Sequence, residues 1–234
     1  FFSMITPIWP ATQQQAEYVF RQRGINQMLI VYDLNNRQYG EDWTNGFADS
    51  FTKMGGKIIS TLTVSSATPI DYAEVCRKIQ ASGAAGVLLV VGAVDAAMFC
   101  QHLRKSGSDI VILTSSWPVT TEFIKLAGNY ANGIIMSSPF DDKDQTPAFV
   151  AFQKKFMDRF GYLPNYAAVH SYEAVKVIAA GLTMNNDAKK LKQTLLQLKK
   201  FDGLTGPFEF DTFGDTIRGN YLLTVRDGQF VLIK

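Results

Sequence analysis

The chain has 234 residues, of which 47% are hydrophobic and 19% are charged, a composition typical of a globular protein with a sizeable apolar core. Its formal net charge of +2 gives no electrostatic reason to expect binding to nucleic acid or to an anionic membrane. No apolar run approaches the roughly 20 residues that a membrane-spanning helix needs.

Apolar segments of strand length alternate with helical patterns from residue 10 to residue 136. A proline at a first-turn position starts the first helical pattern, and glycines end most of the others. The predicted strands are Met28 to Tyr32, Lys57 to Val64, Gly86 to Gly92, Asp109 to Thr114 and Gly133 to Ser137. The predicted helices are Pro10 to Arg23, Trp43 to Met54, Pro69 to Ser82, Asp95 to Lys105 and Val119 to Ala127.

Two of the predicted strands, "VLLVV" and "IVIL", are apolar on both faces. This pattern is typical of a parallel sheet that is covered by helices on both sides. Repeated strand–helix units therefore predict a doubly wound α/β domain. The fixed handedness of the crossovers places every strand-to-helix loop at one edge of the sheet, where ligands of such folds bind.

The chain after Pro139 follows a different pattern. A helix with Phe149, Phe152, Phe156 and Phe160 on one face precedes two more predicted helices, Asn165 to Met184 and Asp187 to Lys200, without an intervening strand. We expect these helices to cover a second sheet, most of which this chain lacks. The segments "GPFEFD", "YLLTV" and "QFVLI" then predict a β section, with a hairpin turn at "DG".

The short signatures of common catalytic sites are missing from the sequence. It contains no G-x-G-x-x-G after a strand, no G-x-x-x-x-G-K-S/T, no G-x-S-x-G and no H-E-x-x-H. His102 and His170 have no second ligand at metal spacing, and Cys76 and Cys100 lack C-x-x-C spacing. We therefore predict no catalytic residue, metal or cofactor. Two buried free thiols are the simpler interpretation of the cysteines, with a disulfide as the alternative.

Small polar residues and aromatics cluster in the loops at the predicted ligand-binding edge. In "VYDLNNRQYGEDW" a polar loop after the first strand ends in Tyr39-Gly40. After the third strand comes "GAVD", in which Asp95 is either a helix N-cap or a ligand contact. After the fourth comes "TSSWP", in which Ser115 and Ser116 either contact a ligand or only turn the chain, and Trp117 either contacts it or packs between layers. Hydroxyls beside aromatic rings suit a small-molecule pocket.

Six phrases in chain order resemble the type I periplasmic binding proteins, in their branch that binds the branched-chain amino acids. The phrases are "FFSMITP", "VYDLNNRQYGEDW", "DYAEVCRKIQASGAAGVLLVVG", "KLAGNYANGIIMSSPF", "GYLPNYAAVHSYEAVKVI" and "FDGLTGPFEFDTFGD". The resemblance spans the whole chain, although no single phrase is a strict signature. It implies two α/β lobes that are joined by three crossings and hold the ligand in the cleft between them.

The resemblance also implies how the chain divides. Residues 6–137 with 219–234 match a complete lobe 2, a doubly wound parallel sheet. Residues 1–5 with 138–218 match the hinge and the C-terminal part of lobe 1, whose N-terminal part is absent. The chain begins inside an apolar run without an initiator methionine, so we expect a processed or truncated chain. Such a remnant of lobe 1 exposes an apolar face, which favours a homo-oligomer.

Individual positions carry over from the family. Tyr39 matches a tyrosine that lines the cleft, and Tyr166 lies near another. Gly92 or Ala93 falls where leucine-binding members have an aromatic contact. Ser116 falls where those members have a glutamate that pairs with the α-ammonium group of the ligand, and Trp117 follows it.

The departure at Ser116 bears on the ligand, because a neutral hydroxyl does not supply the charged partner that a desolvated ammonium group needs. Asp95 is the nearest acid that would compensate. An aromatic or aliphatic acid, an amide or another small metabolite is therefore as good a candidate ligand as an amino acid.

The resulting hypothesis is a non-enzymatic, periplasmic or extracellular bacterial protein that binds a small solute for ABC-type uptake and contacts a membrane permease. The ligand-sensing domain of a membrane receptor or sensor kinase would have the same fold and site. Two further hypotheses are an enzyme on a flavodoxin-like sheet and a repressor core. The enzyme is disfavoured by the missing phosphate-binding glycines. The repressor core needs a DNA-binding helix pair that this sequence does not show.

Overall fold

The computed structural model describes residues 2–233 and divides into two compact units. Unit 1 comprises Phe1–Pro7 and Pro139–Asn220, and unit 2 comprises Ile8–Ser138 and Tyr221–Lys234. In the described part, the helices are α1 Ile8–Glu17, α2 Arg37–Lys53, α3 Tyr72–Ala81, α4 Ala93–Lys105, α5 Thr121–Ala127, α6 Pro147–Phe160, α7 Tyr166–Met184 and α8 Leu191–Leu198. The strands are β1 Gln27–Asp33, β2 Lys57–Val64, β3 Gly86–Val90, β4 Val111–Thr114, β5 Ile135–Ser138, β6 Lys200–Gly203, β7 Gly206–Phe210, β8 Thr216–Ile217, β9 Tyr221–Arg226 and β10 Gln229–Leu232.

The sheet of unit 2 has the strand order β10-β9-β5-β4-β3-β1-β2. Strands β1 to β5 are parallel, and the hairpin β9–β10 adds two antiparallel strands beside β5. All five residues of β3 are buried. The prediction of a doubly wound sheet from the strands that are apolar on both faces is therefore confirmed.

Helices cover both faces of this sheet, because successive side chains of a strand point to opposite sides. On one face, Leu88 and Val90 of β3 pack in a cluster with side chains of α1 and α2, including the fully buried Phe47. On the other face, Val87 and Leu89 pack in a cluster with α3, α4 and α5. The apolar side chains of β3 are thus buried on both faces, which makes the middle of this sheet the core of unit 2.

Unit 1 contains the three helices α6, α7 and α8 and an antiparallel sheet in the order β6-β7-β8. Phe201, Phe208 and Phe210 of this sheet form one cluster with Val177 of α7 and Leu195 of α8. The expectation that these helices cover a second sheet is therefore met in part, because α7 and α8 pack on the sheet β6-β7-β8 of this chain.

The last helix predicted in this region is shorter in the structure. It ends at Leu198, and β6 begins at Lys200. The break occurs at Lys199, which has a φ of 56°. A lysine, unlike a glycine, does not indicate a helix end in the sequence. The periodicity of the leucines therefore predicted a helix that continues through the break.

Helices α6 and α7 expose apolar side chains along their length. Of the phenylalanines predicted to mark one face of α6, Phe149 is fully buried, whereas Phe160 is 51% exposed. The other apolar side chains of these two helices that are more than about a third exposed are Val150, Met157, Tyr172, Val175, Ile178 and Met184. The expectation of an exposed apolar face in this part of the chain is met in unit 1.

The start of α2 differs from the sequence-based expectation. Tyr39 and Gly40 were predicted to end a loop, but α2 begins at Arg37, so both lie in its first turn. Gly40 is required there by close packing, because a Cβ at this position would lie 2.5 Å from Cδ2 of Tyr32. The glycine therefore lets α2 approach the end of β1.

We expect Gly40→Ala to destabilise the protein by about 1–3 kcal/mol, because the added methyl group overpacks this contact despite the better helix propensity of alanine. The measurement is the urea midpoint of unfolding. In the Tyr32→Ala background the same change should cost less, since most of the contacting ring is gone. An equal cost in both backgrounds would contradict this account of Gly40.

Candidate functional site

Three residues from separate parts of the sequence meet at the carboxyl ends of the parallel strands in unit 2. The hydroxyl of Tyr39, in the first turn of α2, lies 3.2 Å from Oγ of Ser116, which follows β4. The ring of Tyr39 contacts the ring of Trp117 edge to face, with centroids 5.8 Å apart. All three side chains are half-buried. We call Tyr39, Ser116 and Trp117 the aromatic–hydroxyl cluster.

The position of this cluster follows from the order of the strands. From β1 the chain moves outward to β2 through α2, on one face of the sheet. From β3 it moves the other way to β4 through α4, on the opposite face. The loops after β1 and β3 therefore run in opposite directions at the carboxyl edge, and open α/β sheets bind their ligands at such a point.

Hydrogen bonds of two buried side chains fix the loop after β4. Oγ of the buried Ser115 accepts a hydrogen bond of 3.3 Å from the backbone N–H of Trp117. The buried Gln15 of α1 donates from Nε2 to the carbonyl oxygen of Thr114 at 2.7 Å. Of the two serines singled out in the sequence, Ser115 therefore turns the chain, whereas Ser116 presents its hydroxyl to Tyr39.

The loop after β3 corrects one expectation about Asp95. The N-cap of α4 is Gly92, not Asp95, and its backbone is extended. Helix α4 starts at Ala93, so Asp95 lies in the first turn and accepts a hydrogen bond of 2.6 Å from the hydroxyl of Tyr72. Gly92, Ala93 and Asp95 are all half-buried. The first N–H groups of α4 therefore have no side-chain cap from Gly92.

Tyr72 was not predicted as a site residue, although it lies beside this loop. Its ring packs edge to face on Phe99 and stacks on His102, with centroids 5.1 Å and 5.8 Å apart. Burial, then the hydrogen bond to Asp95 and the charge of that carboxylate, raise the pKa of the Tyr72 hydroxyl above its ordinary value of 10.0. Tyr72 thus stays a donor to Asp95 well into the alkaline range.

Tyr166, the remaining predicted site residue, belongs to unit 1. It is the first residue of α7, and it packs half-buried against a cluster that includes Phe149 and Val169. Its ring centroid lies 6.5 Å from that of His170. The structure therefore brings Tyr39, Ser116 and Trp117 into mutual contact and places Tyr166 in a separate unit.

His170 belongs to a buried charged cluster in unit 1 that sequence reasoning missed. Oε2 of Glu173 lies 2.9 Å from Nη1 of Arg218 and 3.4 Å from Nδ1 of His170, and Oε1 accepts from the backbone N–H of Leu204 at 2.7 Å. The guanidinium of Arg218 lies over the ring of Phe208. Glu173 and Arg218 are 45 residues apart, so no local pattern indicates the pair.

The chemistry of this cluster is that of an ion pair. Burial alone would raise the pKa of Glu173, but the hydrogen bond with His170, the charge of Arg218 and the Leu204 N–H outweigh it and hold the pKa below its usual value. The Glu173 carboxylate, on α7, accepts from the N–H of Leu204 and so ties the turn after β6 to this helix. The cluster therefore stabilises unit 1.

The cysteines are buried and free, as the simpler interpretation expected. Burial raises the pKa of both thiols to about 12, so neither is a thiolate near neutral pH. Among residues 2–233 no group of three or more His, Cys, Asp or Glu side chains is arranged to hold a metal ion. No helix in the same part of the chain is both long and apolar enough to cross a membrane.

We expect Tyr72→Phe to flatten the loss of stability at high pH. In the parent the folded-state pKa is raised, so the contribution of this hydroxyl is complete below its ordinary value of 10.0 and is lost as the pH rises above it. Urea midpoints measured from neutral to alkaline pH test this. Tyr162→Phe is the matched control, because that ring is 60% exposed. The same alkaline loss in Tyr72→Phe as in the parent would contradict the assignment.

We expect Glu173→Gln to destabilise the protein by about 3–5 kcal/mol, because it leaves the Arg218 guanidinium buried without its counter-charge. Since the pKa of Glu173 is lowered, its contribution is present above the ordinary value of 4.5 and is lost as the pH falls. The difference between parent and variant should therefore shrink in acid. Glu209→Gln, whose carboxylate pairs with the exposed Lys200 at 3.0 Å, is the control and should change little.

Comparison with solved structures shows the same fold. A leucine-binding protein, LivK, from Thermotoga maritima superposes with a TM-score of 0.87 at 17% identity, over 98% of this chain and 66% of that chain. A solute-binding protein of an ABC transporter from R. palustris in complex with benzoate gives 0.87 at 18%, over 99% and 64%. LivJ from Streptococcus pneumoniae in complex with isoleucine gives 0.84 at 19%, over 98% and 65%.

This chain thus spans about two thirds of the length of those structures. The sequence model of the family described as "Periplasmic binding protein" matches residues 1–229, almost the entire chain. With its mostly parallel central sheet and these structural relatives, the chain belongs to the type I periplasmic binding proteins.

Proposed function

We propose that this chain is the ligand-binding part of a non-enzymatic solute-binding protein that serves ABC-type uptake of a small molecule. The observation that carries the proposal is the aromatic–hydroxyl cluster. Its hydroxyls, 77 residues apart in sequence, meet at 3.2 Å at the carboxyl edge of the unit 2 sheet. Tyr39 and Trp117 supply contact area, and the hydroxyls fix the orientation of a ligand. Gly92, Ala93, Asp95 and the loop at Ser115 complete the proposed binding edge.

The chemistry of this edge favours an acid or an amide over an amino acid. Ser116 is neutral, and the Asp95 carboxylate already accepts a hydrogen bond from Tyr72. A ligand ammonium group would therefore have Asp95 as its one charged partner among the unit 2 residues of the proposed edge, in competition with the Tyr72 hydroxyl. The hydroxyls of Tyr39 and Ser116 are groups that donate to a carboxylate or carbonyl oxygen.

The structural relatives support this range of ligands. One is a complex with benzoate, one with isoleucine, and another from Rhodopseudomonas palustris with 3,4-dihydroxy benzoic acid. Aromatic acids, aliphatic acids, amides and branched-chain amino acids are therefore the classes to test here. We place aromatic acids first because the rings of Tyr39 and Trp117 could each contact the aromatic ring of such a ligand.

The partners and the location follow from the same proposal. A protein of this kind delivers its ligand to a membrane permease, and it works in the periplasm or outside the cell. The ligand-sensing domain of a membrane receptor is the second candidate, favoured by the likeness to an extracellular ligand-binding receptor from Rhodopseudomonas palustris at 23% identity. Self-association through the exposed apolar side chains of α6 and α7 is a further part of the proposal.

The test is a thermal-shift screen of this chain against benzoate, short aliphatic acids, their amides and branched-chain amino acids. A ligand at about 100 times its dissociation constant stabilises the folded state by roughly 2.7 kcal/mol. We expect a shift with at least one acid or amide. Tyr39→Phe and Trp117→Ala should abolish or weaken it, because each removes a contact from the aromatic–hydroxyl cluster.

Trp9→Phe is the matched control, because that indole lies 47% exposed on α1 and outside the cluster. It should leave the ligand-induced shift unchanged. Repeating the screen on the full-length gene product separates two outcomes. A shift that appears only there would mean that ligand binding needs residues outside this chain, and no shift in either protein would contradict the proposed function.

A further inference from the structure

A second concave site lies in unit 2, at the amino edge of the parallel strands. A cavity of about 580 Å³ opens beside the start of β5 and the hairpin β9–β10. It is lined by Tyr18, Arg23, Gly133, Ile135, Thr224, Arg226, Val231, Leu232 and Ile233. This volume is within the range of about 300–1,000 Å³ that is typical of small-molecule sites.

The topology separates this cavity from the aromatic–hydroxyl cluster. Gly133 precedes β5, and its N–H donates to the carbonyl oxygen of Val225 in the antiparallel strand β9. Arg226 therefore extends past the amino end of β5. Ser116, by contrast, follows the carboxyl end of β4, which runs parallel to β5. The two sites lie at opposite edges of one sheet.

Apolar side chains form part of the cavity wall, beside Gly133, Thr224 and the two arginines. Ile135 is buried in β5, and Val231 and Ile233 are half-buried near the chain's last strand. Tyr18, the first residue of the π-helical turn Tyr18–Gln22 after α1, also lines the cavity. A neighbouring cavity of about 240 Å³ shares Tyr18 and Ile233. Together these side chains offer apolar contact area to a small molecule.

The rim of the cavity is cationic. Arg23 and Arg226 line it, and Arg21 lines the neighbouring cavity. Within residues 2–233, no ion pair joins any of these three guanidinium groups to an acidic side chain. Among the same residues, no aspartate or glutamate lines the larger cavity. Glu17 lines the neighbouring cavity and accepts a hydrogen bond from Gln13.

We propose that this cavity binds a small amphipathic carboxylate, with its apolar body against Tyr18, Ile135 and Val231 and its carboxylate on Arg23 and Arg226. Guanidinium groups bind carboxylates by charge-assisted and often bidentate hydrogen bonds. The apolar part of the wall favours a ligand with a hydrocarbon part over a bare inorganic anion. The proposal does not rest on the function of the aromatic–hydroxyl cluster.

The test is a titration of this chain with hexanoate, followed by the methyl resonances of Ile135, Thr224 and Val231. We expect saturable shifts of these resonances, and weaker binding at higher salt because the contact is ionic. Hexanamide has the same hydrocarbon part without the charge, and acetate has the charge without most of the hydrocarbon. Both should bind at least about tenfold more weakly than hexanoate.

The variant Arg23→Gln with Arg226→Gln should weaken hexanoate by about tenfold or more, and its methyl spectrum without ligand shows whether the fold is kept. Arg77→Gln is the matched control, because Arg77 is an exposed arginine of α3, on the other face of the sheet. Equal binding of hexanamide, or equal weakening by Arg77→Gln, would overturn the proposal. So would an oligoglutamate peptide that shifts these methyl groups when hexanoate does not, since the occupant would then be an acidic chain.

Discussion

Burial of the central parallel strands on both faces is the constraint on which the rest of unit 2 depends. Strand β3 has no exposed residue, so helices must cover the sheet on each side. Right-handed crossovers then send α2 to one face and α3, α4 and α5 to the other. The carboxyl ends of the strands necessarily share one edge, and the loops there are free of the requirement to pack in the core.

That freedom explains why the polar residues gather where they do. Ser116 and Tyr39 lie half-buried at the edge, while Thr114 and Ser115, one or two residues earlier, are fully buried and have their hydrogen bonds inside the loop. Asp33, which is buried at the end of β1, also fixes loops. Its carboxylate accepts hydrogen bonds of 3.0 Å from the backbone N–H groups of Asn35 and Ser66. Buried polar groups fix the loops, and half-buried ones lie at the edge where we propose that a ligand binds.

Local sequence patterns were sufficient for the strands and most helices, because burial on both faces leaves unbroken apolar runs and glycine marks helix ends. They were insufficient where a residue acts on a distant one. Gly40 looked like a loop residue because its need for space comes from Tyr32. Asp95 was interpreted as an N-cap or a ligand contact, because its hydrogen-bond donor, Tyr72, lies 23 residues away and no local pattern indicates it. The ion pair of Glu173 and Arg218 had no local signal at all.

The two edges of the unit 2 sheet differ in the way they would recognise charge. The amino edge has Arg23 and Arg226 beside several apolar side chains and suits a full negative charge. At the carboxyl edge, Asp95 opposes an anion that approaches the first turn of α4, whereas the hydroxyls of Tyr39 and Ser116 donate or accept. A ligand there is best matched if an acceptor oxygen meets the hydroxyls and any donor group faces Asp95, as in an amide or a hydroxylated aromatic acid. Charge alone would therefore not select the ligand of the carboxyl edge, and the arrangement of donors and acceptors would.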